Sequence, residues 1–128
     1  MRPTRVHHVA LKVADLAAAE VFYRSVLALP VLRRWPAAGS GGERALWFDL
    51  GGDAFLAVER TPAPARAQAE ETPGLHLLAL AIPRVEREAW SARLAAAGHP
   101  VYEQTDYTLY VRDPEGNRVA LSHWPDPA

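Results

Sequence analysis

The sequence predicts an α+β fold in which two tandem βαβββ modules form a curved, mixed sheet that lines a cavity. Three observations lead to this prediction. Apolar and polar residues alternate with a period of two in several short segments, which is typical of strands with one face against a core. Each half of the chain also contains one alanine-rich segment with helical spacing. The order of these elements repeats after about 70 residues, and such a repeat indicates one structural unit present twice.

The first module is predicted at about residues 5–60. It begins with an alternating segment, which predicts a strand. Asp15 follows at the N-cap position of an amphipathic helix, and Pro30 ends that helix. The pair Gly51-Gly52 marks a turn between two further alternating segments. The predicted elements are strands at residues 6–13, 45–50 and 54–59, the start of a strand at residues 31–32, a helix at residues 16–27 and a loop at residues 36–42.

The second module is predicted at about residues 75–124, after a linker rich in proline and alanine at about residues 61–74. Its helix is followed by Gly98, which suits the left-handed conformation common just after a helix. The charged residues of this helix, including Arg87 and Arg93, are expected on its solvated face. The predicted elements are strands at residues 75–82, 101–104, 107–112 and 118–122 and a helix at residues 84–97.

The chain is expected to form a single domain that covers residues 1–128. Its length is that of one ordinary domain. Neither module could bury one face of its sheet on its own. The modules are therefore expected to pack against each other or against a second chain, and we predict a homodimer.

Composition excludes several classes of function. The net charge is −1, with 14 Lys and Arg against 15 Asp and Glu, so no basic excess points to nucleic acid or to a membrane surface. The chain has no cysteine, which excludes disulfide scaffolds, cysteine-bound metals and thiol nucleophiles. No apolar segment of about 18 residues occurs that could cross a membrane. We expect a cytoplasmic protein that contacts neither nucleic acid nor membrane.

Alternation assigns the strand side chains to two faces. The large aliphatic and aromatic residues of one parity are expected under the helices. Examples of this set are Val9, Leu11, Phe48, Leu80, Val111 and Leu121. The other parity mixes small, aromatic and polar residues, which suits a sheet that lines a ligand cavity. The predicted ligand-binding residues, expected on one concave surface, are His8, Trp47, Phe55, Leu77, Tyr110 and Ser122.

Both ends of the chain carry a family resemblance. The stretch HVALKVADL at residues 8–16, followed by Phe22-Tyr23 and by LALP at residues 27–30, resembles the opening of a vicinal oxygen chelate protein. The stretch YVRDPEGNRV at residues 110–119 resembles the second-module signature of the same superfamily. This superfamily contains glyoxalase I, bleomycin-resistance proteins, fosfomycin-resistance enzymes and extradiol dioxygenases. The resemblance implies a glyoxalase/bleomycin-resistance-like fold of paired βαβββ modules, usually as a homodimer.

The resemblance also implies up to four metal-ligand positions, on the first and last strands of each module. His8 matches the first of them. The other three hold residues that cannot bind a metal. These are Leu77, Ala120, and Ala57 (or Leu56, if the preceding turn is one residue shorter). A catalytic divalent ion in such a site needs at least three protein ligands. We therefore expect no metal and no other cofactor.

Two residues just outside these positions are weaker metal-ligand candidates. His76 precedes Leu77, but by alternation it points to the opposite face, and it could bind a metal only if a bulge shifted the strand. Glu59 shares the parity of Ala57, but it lies about 7 Å further along its strand.

The predicted function is binding or sequestering of a small organic molecule in an aromatic-lined cleft, without a metal. Trp47 and Phe55 are expected to stack on the ligand, and His8 and Tyr110 to form hydrogen bonds with it. One alternative is a metal-dependent lyase, isomerase or dioxygenase of the same superfamily that uses His8. A second is a metal-free enzyme in which His8 is the general base. A third is a domain whose cavity is vestigial and whose role is protein association.

Overall fold

The computed structural model describes residues 1–39, 41–66 and 68–128. Ser40, in the predicted loop at residues 36–42, and Ala67, in the predicted linker, lie outside the described residues. The chain divides into two compact units, Met1–Ala65 and Arg66–Ala128. Each unit contains one four-stranded sheet and one helical segment between its first two strands. This arrangement confirms the predicted α+β fold of two tandem modules.

The first unit contains four strands and one helical segment. Its elements are β1 (His8–Val13), α1 (Leu16–Glu20), a π-helical segment (Val21–Val26), β2 (Val31–Pro36), β3 (Glu43–Gly51) and β4 (Ala54–Arg60). The strand order in the sheet is β1-β4-β3-β2. Strand β1 runs parallel to β4, and the other neighbouring strands are antiparallel. Strand β2 therefore lies at one edge of this sheet.

The helix of the first unit begins as predicted but ends differently. The side chain of Asp15 accepts a hydrogen bond from the Ala18 amide at 3.0 Å, which confirms it as the N-cap. After Glu20 the backbone becomes π-helical, and the Leu27 amide donates to the Phe22 carbonyl at 2.9 Å. Ala28 then adopts a positive φ of 59°, so the helical backbone has already ended before Pro30. A short apolar pattern does not distinguish α-helical from π-helical turns, which is why the sequence predicted one continuous α-helix.

The second unit repeats this plan. Its elements are β5 (Leu78–Ala81), a 3₁₀ turn (Arg84–Glu86), α2 (Arg87–Ala96), β6 (Glu103–Gln104), β7 (Thr108–Arg112) and β8 (Arg118–Ser122). The strand order is β5-β8-β7-β6, with β5 parallel to β8 and the remaining pairs antiparallel. The strand predicted at residues 75–82 is shorter in the structure, and the His76 carbonyl ahead of it accepts a hydrogen bond from the Arg118 side chain at 3.1 Å.

The buried side chains follow the predicted parity. Phe48 is fully buried, and its ring lies 5.8 Å from the ring of Tyr23 in the π-helical segment. Val111 and Leu121 are also buried. The three aliphatic residues of this set that are only half-buried are Val9, Leu11 and Leu80. Parity therefore predicts the inner face correctly, while the depth of burial depends on the position along each strand.

Arg87 is buried, and the prediction that it lies on the solvated face of the second helix is wrong. Its guanidinium donates to His123 Nε2 at 2.8 Å, to Gln104 Oε1 at 3.0 Å and to the Thr105 carbonyl at 2.8 Å. Because a guanidinium only donates, His123 Nε2 must accept, so the Nδ1 atom of His123 carries the proton and donates to the Asp126 carbonyl. These partners follow Arg87 by 17 to 36 residues, which no helical pattern can indicate.

Candidate functional site

Four aromatic side chains form a row on the sheet face of the first unit that lies opposite Phe48. His8 on β1 and Phe55 on β4 are partners in the strand register. Trp47 on β3 is opposite Ala57, and Trp35 on β2 is opposite Ala45. One aromatic residue therefore comes from each of the four strands, and the row crosses the sheet diagonally. We call these four side chains the aromatic row.

Neighbouring rings of the aromatic row are in contact. The rings of His8 and Phe55 are stacked, with centroids 4.9 Å apart and planes 8° from parallel. Phe55 stacks on Trp47 at 4.3 Å and 25°, and Trp47 meets Trp35 edge to face at 5.1 Å and 61°. Both geometries are favourable for aromatic pairs. His8 is exposed and the other three are half-buried, so the row presents ring surface that a ligand could cover.

A second histidine extends the row at its β1 end. The Nδ1 atoms of His7 and His8 are 2.9 Å apart, so one ring donates a hydrogen bond and the other accepts it. His7 also packs edge to face against Phe55 at 5.5 Å. Both histidines are exposed. The pair therefore offers a ligand polar ring edges next to a stacking surface.

Small and charged residues lie beside the aromatic row on the same sheet face. Ala10 on β1 is opposite Ala57 on β4, so alanines separate the row from the next residues along the strands. Beyond them, Lys12 is opposite Glu59. The two weaker metal-ligand candidates are apart from the row: Glu59 is opposite Lys12, and His76 is an exposed residue ahead of β5. That either of them binds a metal stays an untested alternative.

The structure brings together the three predicted site residues of the first unit, which are His8, Trp47 and Phe55. Trp35 belongs to the same row, but sequence analysis missed it, because only the start of its strand was predicted, at residues 31–32. The signal that could have found it is the alternation of Arg33 and Trp35 with Arg34, which continues the strand to Pro36.

The three predicted site residues of the second unit are in different environments. Tyr110 on β7 is half-buried and is opposite Ala120 on β8. The Ser122 hydroxyl accepts a hydrogen bond from Thr108 at 3.0 Å and donates one to the Tyr107 carbonyl at 3.3 Å. Both hydrogen bonds of this hydroxyl are therefore made within the second unit. Leu77 lies just ahead of β5 and is half-buried. That all six residues form one concave surface stays a prediction.

Part of the predicted linker packs on the second unit. Arg118 is 4% exposed and donates to Glu70 Oε2 at 2.9 Å, to the His76 carbonyl at 3.1 Å and to the Ala69 carbonyl at 2.7 Å. Arg112 also pairs with Glu70. These contacts attach Ala69, Glu70 and His76 to β8.

A separate cleft of about 640 Å³ lies on the helix side of the first unit, beside α1 and the loop between β2 and β3. Glu20 and Glu43 line this cleft, and Arg34 donates to Glu20 Oε1 at 2.7 Å and to Glu43 Oε1 at 3.0 Å. The hydrogen bond from Arg34 lowers the pKa of Glu20 below its usual value. Arg34 therefore links β2 to α1 through Glu20 and to β3 through Glu43, and both carboxylates of this cleft are already paired.

The profile of the Glyoxalase/Bleomycin resistance protein/Dioxygenase superfamily matches residues 5–121 of the chain. The chain belongs to this superfamily. The match covers both units, as the resemblance of the two ends implied. No protein with a curated function matches the chain significantly in sequence.

Solved structures agree with membership of the superfamily. A lactoylglutathione lyase from Agrobacterium tumefaciens has 25% sequence identity and a TM-score of 0.72, over 98% of this chain and 100% of that one. The fosfomycin resistance protein FosX from Mesorhizobium loti has 15% identity and a TM-score of 0.73, over 94% and 92%. TnmS3, an antibiotic binding protein from Streptomyces sp. CB03234, has 24% identity and a TM-score of 0.68, over 100% and 99%. The last two similarities concern the fold alone.

The residues present do not fit the divalent ion of the superfamily's metal-dependent members. His8 supplies one imidazole, whereas Leu77, Ala57 and Ala120 carry no side-chain donor atom. Across residues 1–39, 41–66 and 68–128, no three His, Asp or Glu side chains form a group that could hold a metal ion. One imidazole is too few ligands for a catalytic site, which usually has three. That the protein holds no metal stays a prediction from the residues at the four ligand positions.

In the part of the chain that the structure describes, no helix is both long and apolar enough to span a bilayer.

Proposed function

We propose that this protein binds a small organic molecule that contains an aromatic ring system, without a metal, and sequesters it against the aromatic row. The observation that carries the proposal is the continuous contact of four rings, one from each strand of the first sheet. Aromatic side chains on a sheet provide a rigid stacking surface at a low cost in conformational entropy. The described antibiotic binding by TnmS3, which has the same fold, is consistent with this function.

Each proposed contact has a chemical role. Trp47 would stack on the ligand, and the exposed imidazole of His8 would form a hydrogen bond with it. Phe55 is itself stacked between His8 and Trp47, so only the edge of its ring would contact the ligand, which corrects the prediction that it stacks on the ligand. That Tyr110 donates a hydrogen bond to the ligand, and that Leu77 and Ser122 contact it, is proposed from the alternation of the sequence alone. A few polar groups of this kind orient a ligand within a mainly apolar site.

A metal-free enzyme that uses His8 as general base is the second candidate. The observation that favours it is the Nδ1–Nδ1 hydrogen bond with His7, which holds the imidazole of His8 in one orientation. Turnover of a bound compound that is lost in His8→Gln would favour this candidate over sequestering.

Replacing Trp47 by alanine should weaken the binding of 2-naphthamide, a neutral aromatic probe, by roughly threefold to tenfold, because one stacking partner is lost. Tyr110→Phe should weaken it by about twofold to tenfold through the loss of one hydrogen bond. Isothermal titration calorimetry measures both. Trp90→Ala, on α2 of the second unit, is the matched control and should leave the affinity unchanged. Binding that does not depend on Trp47 would contradict the proposal.

The purified protein should bind no stoichiometric Ni²⁺, Zn²⁺, Mn²⁺ or Fe²⁺. Three of the four ligand positions hold Leu77, Ala57 and Ala120, which have no donor atom. Calorimetric titration of the metal-stripped protein checks this. A one-to-one site of micromolar or tighter affinity that disappears in His8→Ala would show that the ligand set is wrong.

We further propose that the protein is a cytoplasmic homodimer. Several large apolar side chains are exposed, including Val21, Leu32, Val85 and Trp124, and a second copy could cover part of this surface. The absence of cysteine suits a reducing compartment. Sedimentation equilibrium at tens of micromolar should give twice the chain mass of 14.0 kDa. A single species of monomer mass would rule out the dimer.

A further inference from the structure

Two arginines surround Trp35 at the β2 end of the aromatic row. The guanidinium carbon of Arg33 lies 3.7 Å from the centroid of the Trp35 ring, and that of Arg44 lies 5.2 Å from it. In the described residues, neither arginine has an ion pair or a hydrogen bond with the protein. Two unneutralised positive charges therefore lie beside one indole ring.

These two arginines differ from their neighbours in the fold. Arg34 lies between Arg33 and Trp35 in sequence, yet it points to the other sheet face and pairs with Glu20 and Glu43. Arg112 and Arg118 of the second unit share Glu70. A stacked guanidinium contacts the ring with its flat face, so its N–H groups, which lie in the plane, remain available for an acceptor.

The indole of Trp35 adds a third donor at the same place. Its Nε1 atom is buried and has no hydrogen-bond partner within the described part of the chain. A buried donor without a partner is unfavourable and rare in folded proteins. An oxygen atom of a bound ligand would satisfy this donor once a neighbouring side chain moves aside to admit it, because the atom is covered in the structure.

We propose that the ligand is a planar aromatic compound with a carboxylate, and that Arg33, Arg44 and Trp35 Nε1 bind the carboxylate while Trp47 stacks on the ring. This inference rests on the proposed function, because the aromatic row must bind the ring system. Arg33 on β2 is opposite Trp47 on β3 in the strand register. The group that would bind the carboxylate is therefore adjacent to the ring that would stack on the aromatic system. An anion between the two arginines also relieves their mutual repulsion.

The test compares two probes that share one ring system. The full chain is titrated by calorimetry with 2-naphthoate, which is an anion, and with 2-naphthamide, which is neutral. Naphthoate should bind roughly tenfold more tightly, since hydrogen bonds to a charged group are the stronger ones. Arg33→Gln and Arg44→Gln should each remove most of this preference and leave the affinity for naphthamide within about twofold.

The control is Arg93→Gln. Arg93 is 5.5 Å from the Trp90 ring on α2, so it repeats the arginine–tryptophan stack in the second unit, and its loss should not change either affinity. A second measurement needs no variant. Raising the sodium chloride concentration should weaken the binding of naphthoate but not that of naphthamide, because salt screens the charges.

The outcomes separate this inference from the proposed function. Equal affinity for the two probes, or a naphthoate preference that persists in Arg33→Gln and Arg44→Gln, would overturn the carboxylate site while leaving aromatic binding intact. Failure of both probes to bind in a Trp47-dependent way would overturn the proposed function as well. Circular dichroism of each variant establishes that the fold is retained.

Discussion

Replacing Phe48 by alanine should lower the free energy of unfolding by about 3–5 kcal/mol, the usual cost of removing a large buried aromatic ring. The same replacement at the adjacent Trp47 should lower it by only about 1 kcal/mol, because truncating a half-buried side chain on the outer face removes less buried apolar surface and leaves no closed cavity. Phe48 is completely buried and contacts the helical segment through Tyr23, whereas Trp47 lies on the opposite sheet face and is half-buried. The two residues are neighbours in β3, so the strand context is the same for both.

Urea denaturation monitored by circular dichroism measures both values. The comparison tests the face assignment on which the ligand site depends. If Trp47→Ala costs as much stability as Phe48→Ala, then Trp47 belongs to the core, and the aromatic row would be a packing feature.

The substitution Arg87→Met should lower the free energy of unfolding by about 2–4 kcal/mol, as expected when a buried hydrogen-bond network is broken. Methionine keeps the aliphatic part of the side chain but leaves His123 Nε2, Gln104 Oε1 and the Thr105 carbonyl without their donor. His123 is 4% exposed, so water cannot easily replace the guanidinium there. The C-terminal segment is attached through His123 and should loosen.

Chemical denaturation with a matched variant isolates this effect. Arg93→Met changes an exposed arginine of the same helix and should alter stability by no more than about 0.5 kcal/mol. The double variant Arg87→Met/His123→Leu should recover part of the loss, because removing both partners eliminates the unsatisfied nitrogen. Equal stability of Arg87→Met and Arg93→Met would mean that the buried cluster contributes nothing.

Local sequence patterns were sufficient to predict the α+β class, the two modules and the two faces of each sheet. Exposing a large apolar side chain to water costs about 1.5–3 kcal/mol. A shift of one residue would expose all the apolar residues of a strand together. Alternation therefore placed Phe48 in the core, and His8, Trp47 and Phe55 together on the opposite face.

Other features were decided only by the tertiary structure. Trp35 completes the aromatic row because β2 continues to Pro36 along β3, and the two arginines beside it are recognisable only once that pairing is known. Arg87 is buried because Gln104, Thr105 and His123 are brought to it from other elements. In each case the environment of a polar or charged group depends on partners distant in the chain. Local periodicity records which face a residue occupies, but it contains no information about which distant group will satisfy its hydrogen bonds or its charge.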